Sequence, residues 1–291
     1  MDERDWLAEK FEGNRVHLRA VAYRMLGSLN EADDAVQEAW LRLNRSDTSG
    51  VENLRGWLTT VVARVCLDML RSRKSRREES LDMLAPDPVV GTEKGTGPEQ
   101  EALLADSVGL ALLVVLQTLP PPERVAFVLH DMFDLPFDEI ASIVGRSPTA
   151  TRQLASRARR RVRGAARVPD AEIARQRHVV DAFLAALRGG DFEALVAVLD
   201  PDVVVRFDPG VSGTAREIRG AKTWASQAVV FARMARSLQS MLVDGSVSVI
   251  LAPRGRLLRA VKVTIAGDKI VELEIIADPA RLRQLDLAVL D

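Results

Sequence analysis

Residues 136–163 constrain the fold of this chain more than any other stretch, because they carry the pattern of two short helices joined by a tight turn. Apolar residues at helical spacing form one stripe on the first helix. Gly145 suits the left-handed conformation that ends a helix, and Ser147 can cap a second helix that starts at Pro148. The inward face of that second helix is small enough for close packing on the first: Pro148, Thr151, Ala155, Ala158 and Val162. The pattern predicts a helix-turn-helix.

The outer face of the second helix is polar and basic. Residues 146–167 contain eight arginines and no acid. Arginine reads guanine edges and glutamine reads adenine in the major groove of DNA, so this helix suits the groove. The alternative is an amphipathic helix with a solvated basic face, but such faces usually mix charges of both signs. The predicted DNA contacts are Ser147, Thr149, Arg152, Gln153, Ser156, Arg157 and Arg160.

Composition bounds the class of protein. The 291 residues suffice for two or three domains, and 47% apolar with 28% charged residues is ordinary for a soluble globular chain. The net charge of -1 hides a segregation, because residues 1–54 hold eleven acids and seven bases whereas 146–167 is purely basic. Such a chain can present an acidic face to one partner and a basic face to another.

Cysteine and histidine are scarce, which argues against a disulfide and against a metal site. The single Cys66 excludes an intramolecular disulfide and a thiolate zinc cluster, and the three histidines are widely separated. No cofactor is expected. The acidic N-terminus lacks the apolar core of a signal peptide, and the longest apolar run, 108–116, is far short of the roughly 20 residues that span a bilayer. The sequence predicts a cytoplasmic protein that does not bind membranes.

The N-terminal part reads as helical. Helices are predicted at 5–26 and 31–43, with Ser28 or Asn30 available to cap the second. The outward side of the second helix is acidic and polar. Acids in a first turn stabilise the helix dipole, which accounts for residues 31–34 but leaves Gln37 and Glu38 unexplained. These unexplained polar side chains suggest that the outward face of the helix has a role beyond stabilising the helix.

A third helix, predicted at 54–73, runs into five cations within the seven residues 71–77. A helix end favours cations, but this number exceeds that need and favours phosphate binding. Residues 81–100 are rich in Pro, Gly and Thr and are predicted to be a flexible linker. Further helices are expected at 101–119 and 123–132, before the helix-turn-helix, and the run 108–116 is expected in the core of that second small domain.

The chain changes character after residue 169. Helices are predicted at 170–188, 191–199 and 220–234, followed by strands at 242–251, 257–265 and 269–277. Turns are expected at Arg254-Gly255 and Gly267-Asp268. Helices that precede an antiparallel sheet favour a separate α+β domain.

Three ordered motifs resemble bacterial RNA polymerase sigma factors of the extracytoplasmic-function (group 4) family. EADDAVQEAWLRL at 31–43 resembles region 2.2, which docks on the clamp helices of the polymerase β′ subunit. LRGWLTTVVARVCLDMLRSRKSRR at 54–77 resembles regions 2.3 and 2.4, which open and read the −10 element. Residues 120–163 resemble region 4, which reads the −35 element. The resemblance covers roughly residues 5–165 and implies a promoter-specificity subunit that binds core polymerase, through the β′ clamp helices and the β flap, and promoter DNA.

The resemblance also assigns residues. The implied polymerase contacts are Asp33, Asp34, Gln37 and Glu38, with Trp40 as a core anchor. The implied −10 contacts are Asn53, Trp57, Arg64, Arg71, Arg73 and Lys74. Two of these have structural alternatives: Trp57 is either a packed aromatic or a wedge for strand separation, and Asn53 is either a base reader or a turn residue.

The C-terminal part resembles the SnoaL-like, NTF2-like cone fold that is fused to the sigma-J subgroup. Members carry a glycine-rich segment near the first strand, and Asp208-Pro209-Gly210-Val211-Ser212-Gly213 keeps its Asp and two Gly but lacks the adjacent Lys. Asp208, Gly210 and Gly213 are therefore the expected regulatory residues, and Asp278-Pro279 stands where the family has Asn-Pro.

The expected architecture is multidomain: all-α region 2 at 1–80, linker 81–100, all-α region 4 at 101–167, and a regulatory α+β domain at 170–291. Alternatives stay open for the last domain. It could sense a small molecule, or act as an enzyme through Asp202, Asp208 or Asp244 as a base. A separate anti-sigma partner also stays open. A plain repressor is disfavoured by the motifs at 31–43 and 54–77.

Overall fold

The computed structural model describes residues 3–46, 51, 53–80, 109–164, 169–231, 235 and 237–290. They form two compact units. The first comprises the described residues within Met1–Val108 and Leu119–Arg159, and the second comprises those within Gly109–Thr118 and Arg160–Asp291. The linker predicted at 81–100 lies outside the described residues.

The first unit is helical. Its helices are α1 (Glu3–Leu26), α2 (Leu29–Leu43), α3 (Leu54–Ser80), α5 (Pro121–Phe127), α6 (Phe137–Val144) and α7 (Pro148–Arg163) as far as Arg159, with a π-helical turn at Val128–Met132 between α5 and α6. α2 begins two residues earlier than predicted because Ser28 caps it: the Glu31 N–H donates to Ser28 Oγ at 3.4 Å. α3 continues past the predicted end at residue 73.

The helices α1, α2 and α3 pack on one another around fully buried residues such as Leu18, Val36 and Leu58. The same unit also contains the helix-turn-helix, because α3 packs against both α5 and α6. A buried side chain joins the two parts: Arg124 of α5 donates to the Met25 carbonyl at the end of α1 at 2.9 Å. The predicted core anchor Trp40 is half-buried and packs on Phe11, with ring centroids 4.9 Å apart.

The helix-turn-helix is built as the sequence predicts. Gly145 has φ +69 and ends α6 in the left-handed conformation, and its N–H donates to the Ala141 carbonyl. Ser147 Oγ accepts the Ala150 N–H at 3.2 Å at the start of α7. Thr151, Ala155 and Ala158, on one side of α7, are fully buried. These small residues form the inward face of α7, as predicted.

The second unit is α+β. Its helices are α4 (Leu110–Thr118), α8 (Asp170–Gly189), α9 (Phe192–Val198), α10 (Pro209–Ser212), α11 (Ala221–Ala228) and α12 (Pro279–Leu282), together with the last turn of α7 from Arg160. Its strands are β1 (Leu199–Phe207), β2 (Arg216–Arg219), β3 (Leu238–Val243), β4 (Ser246–Leu251), β5 (Arg259–Ala266), β6 (Lys269–Ile276) and β7 (Leu287–Ala288).

The seven strands make one sheet in the order β2-β1-β6-β5-β4-β3-β7. β1 and β6 are parallel neighbours and every other pair is antiparallel. Buried residues of α8, including Phe183 and Leu184, pack with Trp224 of α11 and the inward residues of the strands in one core. The two all-α regions and the C-terminal α+β domain confirm the predicted fold class.

Local differences have identifiable causes. The prediction of a single strand at 242–251 is wrong, because the chain reverses within that stretch. Asp244 and Gly245 both take positive φ, +51 and +81, and form the turn of a hairpin between β3 and β4. The short strands β2 and β7 were not predicted, since two to four residues carry too little periodicity.

The apolar helix α4 was expected in the core of the helix-turn-helix domain, but it belongs to the second compact unit. There it packs against β3, β7 and the turn at Pro253–Gly255. A Cβ on Gly255 would lie 3.3 Å from the Leu113 side chain, so this glycine permits the close approach. Among the described residues, no helix is long and apolar enough to cross a membrane.

Candidate functional site

The predicted −35 surface is the outward face of α7. Thr149, Arg152, Gln153 and Ser156 are all exposed, as is Ser147 just before the helix. Arg160 is exposed too, at the point of α7 where the second compact unit begins. The polar face of α7 is therefore accessible in the free protein, whereas the opposite face with the small residues is buried.

Two arginines of this helix form intramolecular ion pairs. Arg157 Nε donates to Glu123 Oε1 at 2.9 Å, and that carboxylate is almost fully buried in α5. Arg159 Nε donates to Asp131 Oδ1 at 2.5 Å. The sequence did not predict these pairs, because the acids lie 34 and 28 residues away along the chain. The Arg157 side chain is 45% exposed, so it supports α7 while part of it still faces solvent.

The predicted −10 residues lie along α3. Trp57 is half-buried and Arg64 is exposed. Arg64 Nη2 donates to Ser142 Oγ of α6 at 3.5 Å. Arg71 is exposed, with 4.0 Å between its Nη1 and Asp68 Oδ1. The side chain of Lys74 lies outside the described residues.

Two of the −10 candidates have structural contacts. Asn53 Oδ1 accepts the Gly56 N–H at 3.0 Å, so Asn53 caps α3, as the alternative interpretation of this residue proposed. Arg73 donates to the Leu26 carbonyl at 3.2 Å and pairs with Glu31. These contacts hold α3 to the end of α1 and the start of α2.

The acidic face of α2 is exposed at Asp34 and Gln37. Asp33 pairs with Arg19 of α1 at 2.7 Å, and Glu38 pairs with Arg42 one turn on at 2.9 Å. Leu41 was not predicted as part of this face, but it is 41% exposed and lies one helical turn beyond Gln37 on the same side. The sequence carried a signal for this position, because Leu41 follows Asp34 by seven residues, or two helical turns, and so lies on the same face. An exposed apolar residue within a polar face is typical of a protein-binding surface.

A histidine joins α1 to α3. A guanidinium only donates, so His17 Nδ1 accepts from Arg55 Nη2 at 3.0 Å and Nε2 donates to Thr59 Oγ1 at 3.1 Å. Phe133 contacts the ring edge-on, with centroids 5.4 Å apart. Burial and the nearby Arg55 and Arg24 lower the pKa of His17. A proton on Nδ1 would oppose the Arg55 N–H, so this junction requires the neutral ring.

The structure brings the two C-terminal motif segments together. The buried Asp208 carboxylate accepts the Ala277 and Asp278 N–H groups at 3.1–3.2 Å, and Arg281 Nη1 lies 3.6 Å away. A Cβ on Gly210 would lie 2.4 Å from the Asp278 nitrogen, so only glycine fits there. Gly213 has φ +76 and open space around it. Two of the residues expected to regulate, Asp208 and Gly210, thus form a tight joint between the end of β1 and the end of β6, and Gly213 lies outside it.

An open cleft of about 330 Å³ lies beside this joint. Its charges are largely paired within the protein: Arg206 with Glu217 at 3.2 Å, and Arg281 with Glu274 at 2.5 Å. The other two acids considered as bases lie in different environments. Asp202 is exposed. The pKa of Asp244 is lowered overall: burial raises this pKa, but the hydrogen bonds of the carboxylate with Lys262 and the Asp286 N–H outweigh the effect of burial. A general base would need the opposite shift.

Comparison with known proteins identifies the helical part. Sigma-70 region 2 matches residues 11–76, and Sigma-70 region 4 matches residues 109–162. The probable ECF RNA polymerase sigma factor SigI of Mycobacterium tuberculosis is 33% identical over 98% of both chains. The ECF RNA polymerase sigma factor SigJ of the same organism is 44% identical over 73% of this chain and 69% of its own.

Solved structures also match. The crystal structure of M. tuberculosis SigJ covers 94% of this chain and 98% of its own, with 33% identity and a TM-score of 0.45. An NTF2-like protein from Cytophaga hutchinsonii covers 37% of this chain and 93% of its own, with 16% identity and a TM-score of 0.27. Given the ordered motifs, the exposed basic helix, the two family matches and a relative 33% identical over 98% of both chains, the chain belongs to the extracytoplasmic-function RNA polymerase sigma factors.

Proposed function

We propose that this sigma factor rests in a closed form, in which its −10 and −35 modules are held together, and opens when core polymerase binds. The observation that carries the proposal is the packing of α3 against α6 within one compact unit. α3 carries the −10 candidates and α6 is the first helix of the −35 reader. Arg64 touches Ser142 across this contact, and Arg124 ties α5 to α1.

The lengths involved support this proposal. By their names the −10 and −35 elements lie roughly 25 base pairs apart, or about 85 Å at about 3.4 Å per base pair. A globule of about 150 residues has a radius of gyration of about 15 Å, so it is only about 40 Å across. The closed unit cannot reach both elements. The predicted linker at 81–100 supplies the missing reach, because twenty extended residues span up to about 70 Å.

The polymerase contact is assigned to the acidic face of α2, with Asp33, Asp34, Gln37 and Glu38 directed at the β′ clamp helices and Leu41 as an apolar anchor. The region 4 module would meet the β flap, with α7 in the major groove of the −35 element. The exposure of both faces supports these roles. A protein with these partners acts in the cytoplasm.

The C-terminal α+β domain is proposed to regulate and not to catalyse. Its buried Asp208 is fully engaged in the joint with Asp278 and Arg281, and the cleft beside it is neutralised by internal ion pairs. The domain also packs on α4, which lies within the Sigma-70 region 4 match. Through α4 it can influence the −35 module.

Fluorescence resonance energy transfer tests the closed form. Dyes on cysteines introduced at the exposed Glu9 of α1 and Glu139 of α6 report the separation of the modules in the full chain. Transfer should be high in the free protein and should fall when core polymerase and promoter DNA are added. A control pair at Glu9 and Asp68, both in region 2, should keep the same transfer. Unchanged transfer between Glu9 and Glu139 in an actively transcribing complex would refute the proposal.

A further inference from the structure

A stack of side chains lies at the start of the DNA-facing helix. The His130 and Phe137 rings have centroids 3.8 Å apart, and the Arg152 guanidinium lies 5.5 Å from the Phe137 centroid on the basic face of α7. His130 is itself fixed, because its Nδ1 lies 3.0 Å from the Leu135 carbonyl and must donate to it. The stack joins the π-helical turn, α6 and α7.

This contact differs from those of the neighbouring arginines. Arg157 and Arg159 each give a guanidinium N–H to a carboxylate. A ring face attracts a guanidinium through its π-electrons and uses none of its five N–H donors. Arg152 is exposed, so its donors remain available to a DNA base while the side chain is restrained.

We propose that Phe137, backed by His130, is a positioning residue that holds Arg152 for reading one base pair of the −35 element. Bidentate recognition of guanine requires the planar guanidinium to lie in the plane of the base edge. Arginine otherwise loses much side-chain entropy when it is fixed. Holding Arg152 in advance favours the correct base over others and adds little to general attraction for the phosphates. The inference rests on the proposed −35 role of α7.

The test compares base preferences. Holoenzyme assembled from core polymerase and the full chain is used to select binders from a DNA library randomised across the −35 element. Replacing Arg152 by Ala should abolish the preference at one position, a change of about five- to 150-fold for a bidentate contact. Phe137→Leu should weaken the preference at the same position by about two- to fivefold, the usual size of an exposed cation–π contact. Phe137→Tyr keeps the ring and should retain it.

A second variant avoids any effect of Phe137 on folding. Arg152→Lys keeps the charge on the exposed face but loses the planar group, so it should lose the same base preference and retain general affinity for DNA. If wild-type holoenzyme selects a −35 sequence and Phe137→Leu, although folded, selects it equally well, the positioning role is refuted while the proposed function stands. If wild-type holoenzyme selects no −35 sequence, the −35 role of α7 fails as well.

Discussion

The joint between the two C-terminal motif segments should not tolerate a methyl group at position 210. In Gly210→Ala the new Cβ would lie 2.4 Å from the Asp278 nitrogen and 2.8 Å from two further backbone atoms. Relief requires the segments to part by about 1 Å, since ordinary contacts begin near 3.4 Å. Because backbone atoms are involved, no side-chain rotation can supply this movement.

The cost follows from what that movement breaks. The hydrogen bonds from the Ala277 and Asp278 N–H groups to Asp208 would lengthen from 3.1–3.2 Å to about 4 Å, beyond hydrogen-bonding range. Each hydrogen bond to a charged group contributes about 1.5–3 kcal/mol. With the Asp208 side chain only 1% exposed, water cannot replace them. We expect Gly210→Ala to lower the free energy of unfolding by about 3–5 kcal/mol.

Urea unfolding of the full chain measures this effect, and hydrogen exchange of the β1 and β6 amides assigns it to the second unit. Gly213→Ala is a matched control: φ is +76 but no atom lies within 4 Å, so only about 1–2 kcal/mol of left-handed strain is expected. Gly189→Ala lies in open space at the end of α8 and should be neutral or slightly stabilising. If Gly210→Ala unfolds within 0.5 kcal/mol of Gly189→Ala, the close packing of this joint is disproved.

Three further predictions concern the first unit. Arg157→Ala leaves the buried Glu123 carboxylate without this partner and should destabilise the protein by about 1–2 kcal/mol, the low end for a buried pair because Arg157 is half-exposed; in urea unfolding, Ser156→Ala should change little, and equal effects would contradict the supporting role. The pKa of His17 is lowered in the folded state, so the stability that this residue contributes is present above its unfolded pKa of about 6.5 and is lost as the pH falls from there toward the lowered value. In thermal melts at several pH values, His17→Gln should therefore make the melting temperature depend less on pH in this range. An unchanged pH dependence would refute this role of His17. Arg124→Met removes the hydrogen bond to Met25 and should lower energy transfer between dyes on α1 and α6 in the free protein, whereas unchanged transfer would show that this bond does not hold the closed form.

Local signals in the sequence predicted the helix-turn-helix well. Gly145, Ser147 and the small inward residues each act on neighbours within one or two helical turns, so their effect can be inferred without the tertiary structure. The exposure of Arg152, Gln153 and Ser156 followed directly from that pattern. The turn at Asp244-Gly245 could also have been predicted, because Asp-Gly is a strong hairpin signal. The strand prediction missed this turn because it considered only the run of apolar residues.

Contacts between distant segments could not be predicted. Arg73 stays a predicted DNA contact, but its hydrogen bond to the Leu26 carbonyl was not predicted, because that carbonyl is 47 residues away and a backbone atom has no sequence signature. The continuous apolar run of α4 indicates that the helix is buried but not against which core it packs. The meeting of Asp208 with Asp278 likewise depends on the parallel pairing of β1 with β6.

The central claim is that this chain directs core polymerase to specific promoters, and run-off transcription with sequencing of RNA 5′ ends tests it most directly. Purified core polymerase and the full-length protein are incubated with fragmented genomic DNA, with each component omitted in turn. We expect discrete new start sites that appear only when both are present and that share common −10 and −35 sequences. The absence of such sites, or sequence-specific binding to the same DNA by the protein without polymerase as its only activity, would contradict the account.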